Sequence, residues 1–311
     1  MQDFNSIINL DDSPLVIKWR LTNCCNYKCS YCVRKKKWDE ISKLKEDKEI
    51  IKNTIPQIIR IINEKQVITK IDLIGGEVSL FDLKELINEI NEGTNDLLKK
   101  VTITTNFSRS IEYYNDLIKY CNDNKIRISI TASFHPEFIN LNNMINKTKN
   151  LIKSNYLTFK LEMVSTNDNL DLVNDFINQC NKNGLIYFVD GDVNSTDFSN
   201  IIIQANENKP NRYKIDYDDH IEYIKTVREL GLKYGNYRLI NLNGYYCTLD
   251  YDYVYIEQNK HVGTLKDGFK CKMKEPIENF HFKTEPIICQ NDGCSLCGAM
   301  SVFKERKYYE K

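Results

Sequence analysis

The sequence predicts an α/β protein: a partial (β/α)6 barrel of TIM type followed by a small cysteine-rich C-terminal domain. Three observations carry this. Six strand-like segments alternate with amphipathic stretches of roughly 10–15 residues, the pattern of a parallel sheet wrapped by helices. Eleven cysteines in 311 residues gather mainly towards the two ends of the chain. Between those ends lies a polar stretch, QANENKPNRYK from Gln204 to Lys214, which places a domain boundary near Ile215 and divides the chain into 1–214 and 215–311.

The elements follow in order. LVIKWRL (Leu15 to Leu21) reads as the first strand and runs into the loop CCNYKCSYC (Cys24 to Cys32). Ile50, Ile51, Ile55, Ile58, Ile59 and Ile62 mark one face of a helix over 50–62, with Pro56 expected to kink it or to mark its start. TKIDLIGG is the second strand, with a helix after Leu80. KVTITTN is the third, followed by a helix whose inner face is Ile111, Tyr114, Leu117 and Ile118. IRISITASF, TFKLEMV and GLIYFVD supply strands four to six, with helices around Met144 to Ile152 and over LDLVNDFINQC. Beyond the boundary come a helix near Ile221 to Leu230 and a hairpin around EQNKHVG. Cys121 and Cys180 fall among apolar helix positions and read as core.

Composition narrows the partners. Forty-three basic and forty-three acidic residues cancel, so no global field draws in nucleic acid or an anionic membrane. No stretch is apolar over the ~18 residues that a membrane span needs, and the N-terminus lacks the features of a signal peptide. A cytoplasmic protein with a small or uncharged partner is expected. In a reducing compartment, clustered cysteines point to metal ligands rather than disulfides.

In parallel barrels the chemistry sits on the loops after the strand C-termini. The cysteine loop is such a loop. Cys25, Cys29 and Cys32 are spaced C-x3-C-x2-C, with Tyr31 just before the last. Three thiolates can hold three corners of a cubane iron–sulfur cluster, which ordinarily takes four cysteines, leaving one iron open to an outside ligand. A zinc knuckle with Cys24 or a distant residue as fourth ligand is the alternative. One βα unit later, Gly75, Gly76 and Glu77 close the second strand; glycines there let backbone approach a ligand closely, or simply make a turn.

The C-x3-C-x2-C loop and the Gly-Gly-Glu turn together resemble the radical S-adenosylmethionine superfamily. The resemblance implies that Cys25, Cys29 and Cys32 hold a [4Fe–4S] cluster whose open iron is chelated by S-adenosyl-L-methionine. A flavodoxin- or ferredoxin-type reductant then drives cleavage to a 5'-deoxyadenosyl radical. It implies that Tyr31 touches the adenine and that the Gly75–Glu77 turn binds the cofactor's ammonium group, although Val78 stands where the family usually has proline. Weaker matches are Thr105 and Asn106 at the end of strand three, where Phe107 replaces a usual glycine. At the end of strand four Ser133 matches a ribose-binding position, with His135 in place of a carboxylate. Glu162 on strand five either points into the barrel or alternates outward.

Cys247, Cys271, Cys289, Cys294 and Cys297 lie in the C-terminal domain, the last three spaced C-x4-C-x2-C. They resemble the SPASM and twitch extensions of the same superfamily, which implies a second, auxiliary [4Fe–4S] cluster. Cys247, Cys271, Cys294 and Cys297 are the preferred set; Cys289 is then spare, a candidate hydrogen donor or substrate contact, or a small buried side chain. A four-cysteine zinc ribbon is the alternative there. The expected reaction is hydrogen abstraction from a peptide or small-molecule substrate, ending in oxidation or a cross-link. With two dozen residues ahead of Cys25, the expected substrate is small, or its leader is bound by a separate protein or not at all. A zinc-bound nucleic-acid module and a non-catalytic iron–sulfur carrier are the readings from other classes.

Overall fold

Alternation along each strand sorts this chain into two layers. In a computed structural model, residues 15–32, 39–166, 169–191, 246–247, 249–266, 270–284 and 287–288 are described. In β1 (Leu15–Thr22) the odd positions Ile17, Trp19 and Leu21 are at most 1% exposed, while Lys18 and Arg20 between them are only partly covered. The apolar row faces the helices and the polar row faces the other way, as a period of two requires.

The same device repeats in β2 (Thr69–Gly75), β3 (Leu98–Thr105), β4 (Arg127–Phe134), β5 (Leu157–Ser165) and β6 (Tyr187–Gly191). Each pairs in parallel with the next, giving the order β1-β2-β3-β4-β5-β6. Five helices connect or follow them: α1 (Leu44–Lys65), α2 (Leu83–Gly93), α3 (Ile111–Asp123), α4 (Leu141–Lys149) and α5 (Leu170–Lys182). This is the α/β parallel sheet that the alternation predicts. Ile58, Ile61 and Ile62 of α1, Ile87 and Ile90 of α2, and Leu117 and Ile118 of α3 pack with Leu73, Ile103 and Ile130 of the sheet. Each such fully buried side chain contributes roughly 1.5–3 kcal/mol.

Three helices start where a short polar side chain takes up an orphan N–H. Asp82 accepts from Glu85, Ser110 from Tyr113 and Asn140 from Asn142. The helix expected over 50–62 is longer, Leu44–Lys65, and Pro56 neither starts nor ends it. It stops at Gln66, whose left-handed backbone (φ 54) turns its N–H back to the Ile62 carbonyl.

The expected hairpin is present: β8 (Tyr253–Ile256) and β9 (His261–Lys266) are antiparallel, and β10 (Lys270–Pro276) continues the ribbon. β8 also pairs in parallel with the outer edge of β1, Val16 opposite Tyr253 through Trp19 opposite Ile256. One nine-stranded sheet results, in the order β10-β9-β8-β1-β2-β3-β4-β5-β6. β7 (Tyr246–Cys247) and β11 (Ile287–Ile288) form a separate two-stranded pair. Beyond β10, Ile277 and Phe280 are buried, and the Arg60 guanidinium of α1 donates to both of their carbonyls. The helix expected at 221–230 lies outside the described residues. Among those described, no helix is long and apolar enough to cross a membrane.

Candidate functional site

The loops that follow β1, β2, β3 and β4 meet at one end of the sheet. The cysteine loop after β1 is held from three sides. Against β2, Gly76 N–H donates to the Thr22 carbonyl and Glu77 N–H to the Cys24 carbonyl, both at 2.8 Å. A Cβ on Gly75 would stand 2.6 Å from the Thr22 oxygen, and one on Gly76 would collide with the Cys24 carbonyl. Neither glycine has a positive φ. The paired glycines are therefore explained by close approach, as the sequence indicates, and the group approaching is the backbone of the cysteine loop itself.

Against the loop after β3, Asn26 donates to the Ser108 hydroxyl (3.0 Å) and accepts from the Asn106 amide (2.8 Å). Against the loop after β4, the Ser30 N–H and hydroxyl both donate to Glu137, and Tyr27 stacks on Phe138 at 4.4 Å between centroids. Tyr31 lies nearly parallel to His135, with its hydroxyl 2.8 Å from Nδ1; the Cys29 sulfur is 3.2 Å from the same nitrogen.

All four thiols of the loop are free. Cys24 is buried and turned towards the Glu40 carbonyl, away from this cluster of contacts. Cys25, Cys29 and Cys32 lie near enough to influence one another electrostatically. Burial pushes the Cys25 thiol up to about 11 and the Cys29 thiol to about 12, so both are neutral without a bound cation. Burial also lowers His135 to about 4, which keeps the imidazole neutral. Among the described residues, no three His, Cys, Asp or Glu side chains gather closely enough to enclose a single metal ion. A cluster takes one thiolate per iron and does not require such a point. Its sulfurs are ordinarily stabilised by N–H donors, and two already aim at Cys25 Sγ: the Tyr27 N–H at 3.4 Å and the Asn106 amide at 3.9 Å. The loop fits an iron–sulfur cluster.

Glu77 lies fully buried below this loop. Its carboxylate accepts from Ser79 N–H (2.9 Å), the Thr105 hydroxyl (2.5 Å) and Asn106 N–H (2.6 Å). Burial raises its carboxyl above the ordinary range, and these donors pull the other way. The Thr105 hydroxyl also meets Tyr114 of α3, so this side chain sits in the helix layer. Asn106 spans both sides, its N–H on Glu77 and its amide on the cysteine loop.

Ser133 and Glu162 are opposite each other on β4 and β5, on the face away from the helices, and their side chains lie 3.4 Å apart. Glu162 thus points into the barrel. The structure brings Tyr31, His135, Asn106 and Gly75–Glu77 together around the three cysteines, with the Ser133–Glu162 pair at the end of the same face. Cys247 lies in β7 opposite Ile287, and Cys271 in β10 opposite Leu265; Cys289, Cys294 and Cys297 lie outside the described residues.

Sequence reasoning missed Asp47 and Gln258. Asp47 of α1, 1% exposed, accepts from the Thr22 hydroxyl and from the Gln258 amide, both at 2.5 Å. Gln258, in the β8–β9 turn, accepts in turn from Asn23 at 2.6 Å. The hairpin therefore braces the root of the cysteine loop. A polar residue in the first turn of a helix carries no sequence signal for this.

Residues 19–155, from within β1 to just before β5, match the family described as Radical SAM superfamily. An S-adenosylmethionine-dependent nucleotide dehydratase of Fibrobacter sp. (strain UWH6) is 25% identical over 177 residues, 55% of this chain. The chain spans about half the length of that relative, 50%. Among solved structures, Streptococcus suis SuiB bound to S-adenosylmethionine aligns at 16% identity and a TM-score of 0.49, over 89% of this chain and 68% of its own. BtrN in complex with AdoMet and 2-DOIA aligns at 14% identity and a TM-score of 0.35, over 58% of this chain and 70% of its own.

Proposed function

We propose that the chain is a radical S-adenosylmethionine enzyme that abstracts a hydrogen atom from a peptide or small-molecule substrate. Cys25, Cys29 and Cys32 hold the [4Fe–4S] cluster. When bound, that cluster supplies the electron that splits S-adenosyl-L-methionine into methionine and a 5'-deoxyadenosyl radical. Tyr31 and the Gly75–Glu77 turn border the cofactor, with Asn106, Ser133, His135 and Glu162 lining its pocket.

The chain's own contribution is orientation. Glu77 ties the end of β3 to the β2 turn, Asn106 carries that tie to the cysteine loop, and Glu137 with Phe138 fixes the loop from the β4 side. Tyr27 and Asn106 direct N–H groups at Cys25, stabilising the thiolate form that a cluster requires. In residues 215–311, Cys247, Cys271, Cys294 and Cys297 would hold a twitch-like auxiliary cluster, with Cys289 as a further thiol; such a cluster would supply an electron acceptor for the oxidation of substrate. A flavodoxin- or ferredoxin-type protein supplies the first electron.

One observation supports this reading above the others: three free thiols on the loop after β1, with N–H donors already aimed at one of their sulfurs. Anaerobic reconstitution tests it. About eight irons per chain and reductive release of 5'-deoxyadenosine are expected for two cubane clusters. Two zincs and no cleavage would establish a zinc module instead, and iron without cleavage a carrier.

A further inference from the structure

The polar face of the sheet carries an excess of one sign. Register and contacts place Lys18, Arg20, Lys70, Lys100, Arg127 and Lys160 on it, against Asp72, Glu162 and Glu257 among the residues whose side chains are described. Lys70, Lys100 and Arg127 stand in one row across β2, β3 and β4. Like charges directly opposite one another on neighbouring strands repel. A parallel barrel ordinarily fills its interior with branched apolar side chains. A chain of zero net charge has instead gathered cations here.

The available carboxylates are already engaged. Asp72 pairs with Lys70 at 3.1 Å, and Arg20 is held by Glu257 at 3.0 Å and by the Tyr255 hydroxyl at 2.9 Å. Lys18 sits between Arg20 and Lys70, opposite Asp72, and burial lowers its pKa. Among the described residues, neither Lys18 nor Lys160 has an ion pair. Between the cations lie hydroxyls: Thr102 opposite Ser129, and Thr104 opposite Thr131. The face therefore carries more cationic donors than carboxylates, with hydroxyls between them that can donate or accept. Strands rise ~3.3 Å per residue, so Arg20 and Lys18 lie roughly 7 and 13 Å below Thr22, where the cysteine loop begins.

We propose that this face binds the phosphate group of a small phosphorylated substrate, whose reacting carbon is then presented to the loop above. The proposal rests on the radical reading of that loop and narrows its substrate class. Phosphate oxygens accept several charge-assisted hydrogen bonds at once, which a row of Lys and Arg flanked by hydroxyls supplies.

The test is calorimetric titration of the anaerobically reconstituted full chain with tripolyphosphate. Wild type is expected to bind it, more weakly as salt rises, and Lys18→Met and Lys160→Met are each expected to bind about tenfold more weakly or worse. Lys84→Met, on the exposed side of α2, is the control and should bind as wild type does. Lys18→Met exchanges a partly buried cation for an apolar chain of similar length; Lys160→Gln is a second variant should it not fold. A nucleoside triphosphate or a hexose phosphate that binds more tightly than tripolyphosphate supports the proposal and says which molecule carries the phosphate. No tripolyphosphate binding by wild type, or equal binding by both lysine variants, overturns it. If wild type loads iron and releases 5'-deoxyadenosine yet ignores tripolyphosphate, this inference alone fails; if it takes up no iron, the reading of the cysteine loop fails.

Discussion

Glu77 and Cys24 are joined backbone to backbone: the Glu77 N–H donates to the Cys24 carbonyl at 2.8 Å, and Gly76 leaves that carbonyl no room for a side chain. The cysteine loop thus rests on the β2 turn without an intervening side chain. On this side its position is set by main-chain contacts, whereas the β3 and β4 sides hold it through side chains.

Gly76→Ala therefore forces the loop away from β2. Overpacking of this kind costs about 1–3 kcal/mol. The urea midpoint of the variant should fall accordingly, and its iron content after reconstitution should fall with it. A variant with unchanged midpoint and iron content contradicts the contact.

Replacing Glu77 separates its charge from its hydrogen bonds. Glu77→Ala strands two backbone N–H groups, those of Ser79 and Asn106, at about 1–3 kcal/mol each. The charge acts through pH. Because burial raises this carboxyl, the folded chain keeps a proton that the unfolded chain releases in the ordinary glutamate range, at about pH 4.3. Stability contributed by that proton is complete below this pH and declines as pH rises through the folded value. Urea midpoints measured across this range should show the decline in wild type and a flatter line in Glu77→Gln.

Single alanine substitutions at Cys25, Cys29 or Cys32 should remove the iron of this site, about four per chain, and abolish 5'-deoxyadenosine release. Cys24→Ala should leave the iron count intact, since that thiol is turned towards Glu40. Iron analysis and absorbance of the reconstituted protein distinguish the two outcomes.

The Asp47 brace predicts coupling between segments that are far apart in sequence. Gln258→Leu and Thr22→Val each remove a donor to a buried carboxylate. A double-mutant cycle between them, read by chemical denaturation, should give a coupling energy of about 1–2 kcal/mol. A value near zero would mean that the two donors act on Asp47 independently.

Much of this was legible in the chain before its structure. The alternation in IRISITASF and TFKLEMV gives β4 and β5 because a strand that faces helices on one side and polar space on the other must repeat every two residues. Cys25, Cys29 and Cys32 were legible because their spacing is local. The start of α1 at Leu44 was not, since its first turn is mostly polar and its one buried residue there is Asp47. Nor was the pairing of β8 with β1, which depends on two edges separated by more than two hundred residues and leaves no local pattern. The reason for Gly75 and Gly76 was half legible: their smallness showed that something comes close, and only the fold shows that it is Thr22 and Cys24.

That β1–β8 pairing also dictates an order of events during synthesis. The outer edge of the first strand emerges early, with backbone donors and acceptors unmet, and stays so until Tyr253–Ile256 has left the ribosome. Until then, the nascent sheet offers a template on which another chain could add a strand. Expression with a chaperone that shields that edge should consequently raise the soluble yield of the full chain.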